Sequence, residues 1–359
     1  MKVLDLFCGC GGISEGFRLA GYEVVGGIDV SEEAIATYSL NFPEAISLSC
    51  DITKFDDEKI KYVFGKSNID VIVGGPPCQG FSNANRWQKE NDDPRNKLFF
   101  EYLRFVKVLS PNVVIIENVR GILSKDSGYA KNRIVALLSR LGYEVSSKVL
   151  NAADFGVPQS RYRAFFVGIK KSRNLKIFDF EKMHKKTTVT VGEAISELYK
   201  FEKSIKDTHK LKSDPQTEYQ RYLRASDNII RSHKIVYPAK LTQERIGHVP
   251  QGGNWRDIPS ELFSNQRNNR HSSAYKRLEE KAVSVTIDTG NAHSNYFHPR
   301  RNRIPTVREA ARIQSFRDEF VFEGSRSNQY KQIGNAVPPL LAFAIADALK
   351  DMMLKNENN

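Results

Sequence analysis

The stretch from Gly74 to Gly80, which reads Gly-Gly-Pro-Pro-Cys-Gln-Gly, constrains the fold of this chain more than any other. It directly follows the β-branched run from Ile69 to Val73, which is typical of a buried strand. The two prolines fix two φ angles and remove two backbone donors, so neither a strand nor a helix can continue through them. We therefore predict a rigid loop at the carboxyl end of a strand, with the thiol of Cys78 at its tip.

The position of Cys78 allows two interpretations. Ligands of open α/β sheets bind outside the carboxyl ends of the strands, so a stiffly held cysteine there is placed as a nucleophile. The alternative is a packing residue after a turn, because free cysteine often behaves as a small hydrophobic residue. The Gly74–Gly80 stretch alone leaves both interpretations open.

The first 170 residues alternate short β-branched runs with helical patterns, and the spacing of Ile134, Leu137, Leu138 and Leu141 predicts an amphipathic helix over Lys131–Leu141. Strands separated by helices indicate a mostly parallel sheet covered on both faces, and therefore an α/β, Rossmann-like domain. The predicted strands are Val3–Phe7, Glu23–Ile28, Ile69–Val73, Val113–Glu117, Val145–Leu150 and Ala164–Ile169.

Beyond Lys170 the sequence becomes polar, with weak periodicity over residues 171–280. Pro238, Trp255 and Pro259 stand among apolar residues there and favour a smaller, irregular folded domain over the alternative, a long disordered insertion. We predict a first domain over residues 1–178, a second over 179–305, and a final segment over 306–359.

The final segment returns to regular structure. Thr306-Val307-Arg308-Glu309 is a capping box that opens a helix. Pro339 can occupy the first turn of a helix over Leu340–Leu349, where its missing N–H costs nothing. That helix is apolar enough to pack on the first domain, so the second domain is expected to be an insertion.

Composition narrows the class of partner. The 359 residues carry a formal charge of +12, which favours a polyanionic partner such as nucleic acid over a purely solvated basic surface. No apolar run approaches the roughly 18 residues of a membrane span, and Asp5 interrupts any signal-peptide pattern, so we expect a cytoplasmic protein. The spacing of the four cysteines is not a zinc pattern, and we expect no bound metal.

A Gly-rich turn, Phe7-Cys8-Gly9-Cys10-Gly11-Gly12, follows the first strand and opens a helix. Such a turn lets a ligand approach the backbone, and Asp29 ends the second strand where an acid meets ribose hydroxyls in Rossmann-like sites. The third small position of the dinucleotide fingerprint falls on Ser14, so an adenosine ligand without phosphates, such as S-adenosylmethionine, fits better than a dinucleotide. Asp51-Ile52 follows a further β-like stretch and could hold the adenine.

Three more side chains are candidates for chemistry. Glu117 ends an apolar strand, where burial would raise its pKa, although it could instead cap a helix or pair with an arginine. Arg161 and Arg163 lie two residues apart and share a face if the chain is extended there, although either could simply be solvated.

One type of reaction uses all of these groups at one sheet edge: a thiol, a carboxyl group, two arginines and an adenosine site. It is the methylation of cytosine at C5. C5 of cytosine is a poor nucleophile, but a thiolate added to C6 makes it able to attack a methyl sulfonium. A carboxyl group at N3 would stabilise that adduct. Methyl transfer to an exocyclic amine needs no thiol, and enzymes that do it tend to carry an aromatic residue where this chain has Cys78.

The chain resembles the cytosine-C5 DNA methyltransferase family, in the prokaryotic restriction–modification form. Each motif is weak alone, but six in the family's order are very specific; they cover the first 170 residues and about the last 55. The motifs are Asp5-Leu6-Phe7-Cys8-Gly9-Cys10-Gly11-Gly12, Gly75-Pro76-Pro77-Cys78-Gln79, Glu117-Asn118-Val119, Gln159-Ser160-Arg161-Tyr162-Arg163, Arg308-Glu309-Ala310-Ala311-Arg312 and Gly334-Asn335-Ala336-Val337.

The resemblance implies that Cys78 is the nucleophile, that Glu117 contacts N3 and the amino group, and that Arg161 and Arg163 hold the base and the catalytic groups. It makes 179–305 the target-recognition domain. Asp29 stands where many members have Glu. The expected S-adenosylmethionine site joins the glycines of the Gly-rich turn to positions that match the family's cofactor contacts, namely Phe7, Gly9, Gly11, Asp29, Val30, Asp51, Ile52, Pro77, Leu98, Asn335 and Val337.

These observations predict a DNA (cytosine-5)-methyltransferase that binds double-stranded DNA, extrudes its target base and acts as a monomer. They allow a separately encoded restriction endonuclease as a partner. The alternatives are a transfer-RNA cytosine methyltransferase, which the large basic variable segment disfavours, and a non-catalytic DNA-binding relative. A nicotinamide-dependent oxidoreductase is disfavoured by the broken glycine fingerprint. The sequence identifies neither the recognition site nor the cytosine that is modified.

Overall fold

A computed structural model of the chain describes residues 1–77, 96–173, 175–204, 206–263, 274–289 and 296–357. Its central sheet has seven strands in the order β3-β2-β1-β4-β5-β7-β6. These are β1 (Lys2–Leu6), β2 (Glu23–Asp29), β3 (Ile46–Ser49), β4 (Val71–Gly74), β5 (Val113–Val119), β6 (Tyr143–Asn151) and β7 (Tyr162–Lys170). The sheet confirms the predicted α/β class, and each of the six predicted strands is present with its ends within two residues of the expected positions.

Strands β1 to β5 pair in parallel, and β7 runs antiparallel between β5 and β6. The helices that accompany the strands are α1 (Gly12–Leu19), α2 (Glu32–Asn41), α3 (Asp57–Phe64), α4 (Lys97–Leu109), α5 (Tyr129–Arg140), α6 (Val191–Ile195), α7 (Glu218–Leu223), α8 (Lys240–His248), α9 (Val307–Ile313), α10 (Arg326–Asn335) and α11 (Pro339–Glu357). Within the described ranges, no helix is both long enough and apolar enough to cross a membrane.

The chain divides into two compact units. The first comprises residues 1–151, 162–185 and 339–359, and the second comprises 152–161 and 186–338. The segment 306–338 therefore groups with the inserted unit, whereas the sequence analysis placed it with the returning end of the chain. The predicted boundaries at 178 and 305 concern functional segments and stay predictions.

The first unit is held together by apolar strands between helices. Val71, Ile72, Val113 and Val114 are fully buried, as expected for a sheet covered on both faces. The last helix, α11, packs tightly on α1: a Cβ built on Gly16 would lie 2.5 Å from the carbonyl oxygen of Pro339. The predicted return of the C-terminal helix to the first domain is thus confirmed, and Pro339 is its first residue.

The second unit contains a buried group of ion-paired side chains that the sequence analysis did not predict. Arg303 donates to both Glu202 and Glu309, and all three side chains are almost fully buried. Burial alone would raise the pKa of Glu309, but the neighbouring Arg303 outweighs it and holds that pKa well below its usual range.

The predicted capping box is present at the start of α9. The Thr306 side chain accepts a bond from the Glu309 N–H, and the Glu309 side chain accepts one from the Thr306 N–H. Two short ladders complete this unit, β8 (His209–Lys210) with β9 (Ile229–Ile230) and β10 (Lys276–Arg277) with β11 (Tyr296–Phe297).

Candidate active site

The strand order brings the candidate residues of the first unit to one edge of the sheet. The order reverses between β1 and β4, and the carboxyl ends of these neighbouring strands lead into the Gly-rich turn and the Gly75–Pro77 loop respectively. Ligands of open α/β sheets bind at such a reversal point. Because β7 is antiparallel, its first residues lie at the same edge as the last residues of β5.

The Gly-rich turn has a strained backbone that leaves room beside it. Phe7 adopts a φ of 62°, which side-chain-bearing residues rarely do, and Gly9 and Gly11 have φ values of 53° and 96°. A Cβ built on Gly9 would meet nothing within 4 Å, whereas one on Gly11 would lie 2.5 Å from the ring of Phe42. Gly11 is therefore required by packing, and Gly9 leaves open space next to the backbone, as an adenosine ligand needs.

Asp29 ties this turn to the end of β2. Its carboxylate oxygens accept bonds from the backbone N–H groups of Gly9 and Ser31, both at 2.9 Å. Each carboxylate oxygen keeps a second acceptor position, so Asp29 can still receive hydroxyl donors. Val30 follows it with 74% of its surface exposed, although Val is a hydrophobic residue. An exposed apolar side chain and a carboxylate next to it suit an adenosine.

The other predicted cofactor residues of the first unit differ in exposure. Asp51 accepts a bond from the N–H of Thr53 at 2.9 Å, and the bonds from Thr53 lower its pKa. Ile52 is only 4% exposed and packs in the main core, with Leu98 packed against the same core. Pro77 is exposed. Ile52 and Leu98 thus pack in the core, while Asp51 and Pro77 remain accessible, and the assignment of all four to the cofactor site stays a prediction.

Asn335 and Val337 belong to the second unit. Asn335 is the exposed last residue of α10, and Val337 is buried two residues later. Their assignment to the cofactor site stays a prediction.

Glu117 and Arg163 form an ion pair at the sheet edge. Arg163 Nε lies 2.9 Å from Glu117 Oε1, and both side chains are more than four-fifths buried. The register explains the pair, because β5 residue Val119 faces Arg163 and Glu117 is the diagonal neighbour on the same face. A Cβ built on Gly75 would lie 2.9 Å from Glu117 Oε2, so the turn after β4 lies directly against this carboxylate.

Asn118, the next residue of β5, holds the same turn through a hydrogen bond. Its Nδ2 donates to the carbonyl oxygen of Pro76 at 3.1 Å, and its Oδ1 accepts from the N–H of Val119 at 3.0 Å. The start of the proline-stiffened loop is thereby anchored to β5. Cys78, two residues further, lies outside the described residues, and its role as nucleophile stays a prediction.

Arg161 is placed differently from Arg163. It is fully buried in the second unit, where its Nη1 and Nη2 donate to the carbonyl oxygens of Ile287 and Gly334 at 2.9 Å and 2.7 Å. β7 begins at Tyr162, so Arg161 precedes the strand on whose face the two arginines were expected together. Arg161 therefore links its own segment to two others through their backbone carbonyl groups, whereas Arg163 pairs with Glu117.

Asp5 was missed by the sequence analysis except as a motif residue. It is fully buried in β1, accepts from Ser14 Oγ at 2.7 Å through Oδ2, and has no partner for Oδ1 among the described residues. Burial raises its pKa to about 7, and Asp29 adds to the shift although Ser14 opposes it. The sequence feature that could have identified Asp5 is its position as a carboxyl group within an otherwise apolar strand. Across the described part of the chain, no three His, Cys, Asp or Glu side chains converge as a metal site.

The model of the C-5 cytosine-specific DNA methylases matches residues 1–351 of this chain. The chain belongs to the C-5 cytosine-specific DNA methylase family. It is therefore a DNA (cytosine-5-)-methyltransferase, and its methyl donor is S-adenosyl-L-methionine. The open space at Gly9 and the accessible carboxylate of Asp29 fit that donor.

Similar proteins support the family assignment over the whole chain. The Type II methyltransferase M.DdeI of Desulfomicrobium norvegicum is 37% identical over 100% of this chain and 92% of its own length. M1.HphI of Haemophilus parahaemolyticus, also a Type II methyltransferase, is 37% identical over 98% of this chain and 87% of its own.

Solved structures agree with the fold. A prophage-encoded Escherichia coli protein, described as a DNA modification methyltransferase, superposes with a TM-score of 0.81 at 30% identity, covering 99% of each chain. The Dnmt2 methyltransferase of S. pombe superposes with a TM-score of 0.61 at 18% identity, covering 98% of this chain and 99% of its own, which shows a shared fold.

We expect Asp29→Ala to weaken S-adenosylmethionine binding by about tenfold or more, because a hydrogen bond to a charged group contributes about 1.5–3 kcal/mol. Isothermal calorimetry measures the effect directly. Glu32→Ala is the matched control, since it also removes one acid, three residues further along the chain, and leaves the bond between Asp29 and Gly9 in place. Equal affinities for Asp29→Ala and the unmodified chain would remove Asp29 from the cofactor site.

Proposed function

We propose that this family member methylates C5 of cytosine at a defined sequence in duplex DNA, through a thiolate adduct at C6 of an extruded base. The observation that carries the proposal is the Glu117–Arg163 pair, which lies against Gly75 at the start of the loop that bears Cys78. The Type II names of the relatives support the sequence-specific part.

The proposed chemistry assigns one step to each group. The Cys78 thiolate forms a bond to C6 of cytosine, and the electron pair of the C5–C6 double bond becomes available at C5. S-adenosylmethionine, when bound, supplies the methyl group that C5 takes. Loss of the C5 proton then restores the double bond and expels the thiolate. The adduct is the high-energy species, so the protein must stabilise charge on the ring.

Glu117 has the position and the partner for that task. A carboxyl group at N3 shares a proton with the ring and so stabilises the adduct. Arg163 holds the carboxylate at 2.9 Å, which fixes its direction before the base arrives. Asn118 donates to the carbonyl oxygen of Pro76 and so anchors the start of the loop next to this carboxylate. C5 is not reachable inside a stacked duplex, and the base must therefore leave the helix.

Site selection is assigned to residues 179–305, the predicted target-recognition domain. The segment is polar and irregular, and base contacts, not phosphate contacts, carry sequence information. The same proposal includes a monomeric, cytoplasmic enzyme, with a restriction endonuclease as a separate gene product.

We expect expression of the chain in a host without cytosine methylation to place 5-methylcytosine in one short sequence context of duplex DNA. Conversion sequencing of the host DNA identifies the base and the context together. Transfer RNA from the same cells is the internal comparison, and it should stay unmodified. Methylation confined to RNA would contradict the duplex assignment, and methylation of an exocyclic amine would contradict the thiolate chemistry.

A further inference from the structure

Beside the ion pair of the active site stands an arginine that no part of the proposed chemistry uses. Arg120 immediately follows β5, and its guanidinium carbon lies 5.7 Å from the centroid of the Tyr162 ring. Both side chains are exposed, with 42% of the surface of Tyr162 accessible. The pair joins the residue after β5, the strand that carries Glu117, to the first residue of β7, the strand that carries Arg163.

Tyr162 connects this pair to the catalytic groups. Its carbonyl oxygen accepts a bond from Arg163 Nη1 at 2.9 Å, while Arg163 Nε contacts Glu117. One residue therefore positions two arginines: its backbone holds Arg163 and its ring holds Arg120. Arg120 is thus linked through Tyr162 and Arg163 to Glu117.

The two arginines differ in how their charge is balanced. Arg163 is compensated by Glu117, whereas Arg120 makes no ion pair and donates no side-chain hydrogen bond among the described residues. A guanidinium that stacks on an aromatic ring keeps its N–H groups in the plane and available to a planar or tetrahedral anion. An exposed cation–π contact contributes only about 0.5–1 kcal/mol, so stability alone is a weak reason for this arrangement.

We propose that Arg120, held over the Tyr162 ring, binds a phosphate group of the DNA strand that carries the target cytosine. This inference rests on the duplex methylation proposed above. Phosphate is favoured over a base edge because phosphate and sugar receive half to two-thirds of protein–DNA hydrogen bonds and because Glu117 already faces the extruded base. The contact would fix the strand at the point where the base leaves the stack.

Salt dependence tests the inference, because each neutralised phosphate adds about 0.9 to the slope of log affinity against log salt. Fluorescence anisotropy is measured with the full chain and a duplex that contains its mapped site, over a series of salt concentrations. We expect Arg120→Ala to lower the slope by about 0.9 and to weaken binding by roughly tenfold. Tyr162→Ala should give a smaller loss of affinity, and Tyr162→Phe should behave as the unmodified chain.

Arg140→Ala is the matched control, since it also removes one exposed arginine, at the end of α5. We expect it to leave the slope unchanged. Arg120→Lys keeps the positive charge but loses the planar, two-pronged donor group of arginine. Its salt dependence should therefore match that of the unmodified chain, while its affinity for the duplex falls. Calorimetric binding of S-adenosylmethionine, unchanged in every variant, verifies that the first unit is intact.

The outcomes separate the inference from the function on which it rests. An unmodified chain that methylates no duplex overturns the proposed function and this inference with it. A chain that methylates its site while Arg120→Ala keeps the full slope and affinity overturns the inference alone. An equal loss of slope in Arg140→Ala would also overturn it, because the effect would then be general to surface charge.

Discussion

Cys78→Ser is expected to abolish methyl transfer, with a loss of at least about a thousandfold in rate. A thiol is a few per cent thiolate near pH 7, whereas a serine hydroxyl without a base is not ionised, so addition to C6 would stop. Initial-rate measurements with tritiated S-adenosylmethionine and a duplex that contains the mapped site provide the test.

The same substitution should remove a diagnostic covalent complex. Fluorine at C5 cannot leave as a cation, so a duplex with 5-fluorocytosine at the target should remain bonded to the protein after methyl transfer. With the cofactor present, we expect the unmodified chain to give a complex that survives denaturant, and Cys78→Ser to give none. Peptide mapping then locates the bond.

The other thiols are the controls. Burial raises the pKa of Cys10 to about 12 and that of Cys8 well above its ordinary value, which keeps both protonated. Cys50 is partly exposed, and Cys50→Ser should retain both turnover and the complex. A cross-link mapped to any residue other than Cys78, or a normal rate in Cys78→Ser, would contradict the thiolate mechanism.

Gly75→Ala should lower kcat by about a hundredfold and leave the melting temperature nearly unchanged. The added Cβ would lie 2.9 Å from Glu117 Oε2, so the carboxylate must move away from its position beside Arg163. Moving the end of a flexible side chain costs little stability, but a displacement of about 1 Å in a catalytic group can cost about a hundredfold in rate.

Gly121→Ala is the control for this prediction. It lies close in sequence to Glu117, and a Cβ built there would meet nothing within 4 Å, so activity should persist. Single-turnover kinetics and thermal denaturation of both variants distinguish a displaced carboxylate from an unfolded chain. A Gly75→Ala enzyme with normal kcat would show that Glu117 is not required at its observed position.

Much of the fold and the family could be predicted from sequence because the signals are local. β-branched runs, the Gly-rich turn and the two prolines at Pro76 and Pro77 act on the backbone of their own segments. They predicted six strands and the sheet edge at which the Gly-rich turn, the Gly75–Pro77 turn and Glu117 lie. The identity of the proposed nucleophile likewise depends on one short motif. The capping box at Thr306 and the start of α11 at Pro339 are local features of the same kind.

Contacts between segments far apart in the chain required the tertiary structure. Arg161 and Arg163 look equivalent in sequence, yet one donates to backbone carbonyls near residues 287 and 334 while the other pairs with Glu117. Nothing in the sequence indicates that Arg303 is buried, because Glu202, one of the carboxylates that neutralise it, lies 101 residues away along the chain.

Local pattern therefore determined which segments are strands, which turns are rigid and which motifs stand at the sheet edge. Only the strand order and the β5–β7 register decided that Arg163 meets Glu117 and that Arg120 lies on Tyr162. The physical reason is that backbone preferences act over a few residues, whereas the partner of a charged side chain is whichever group the packed sheet brings within hydrogen-bond distance.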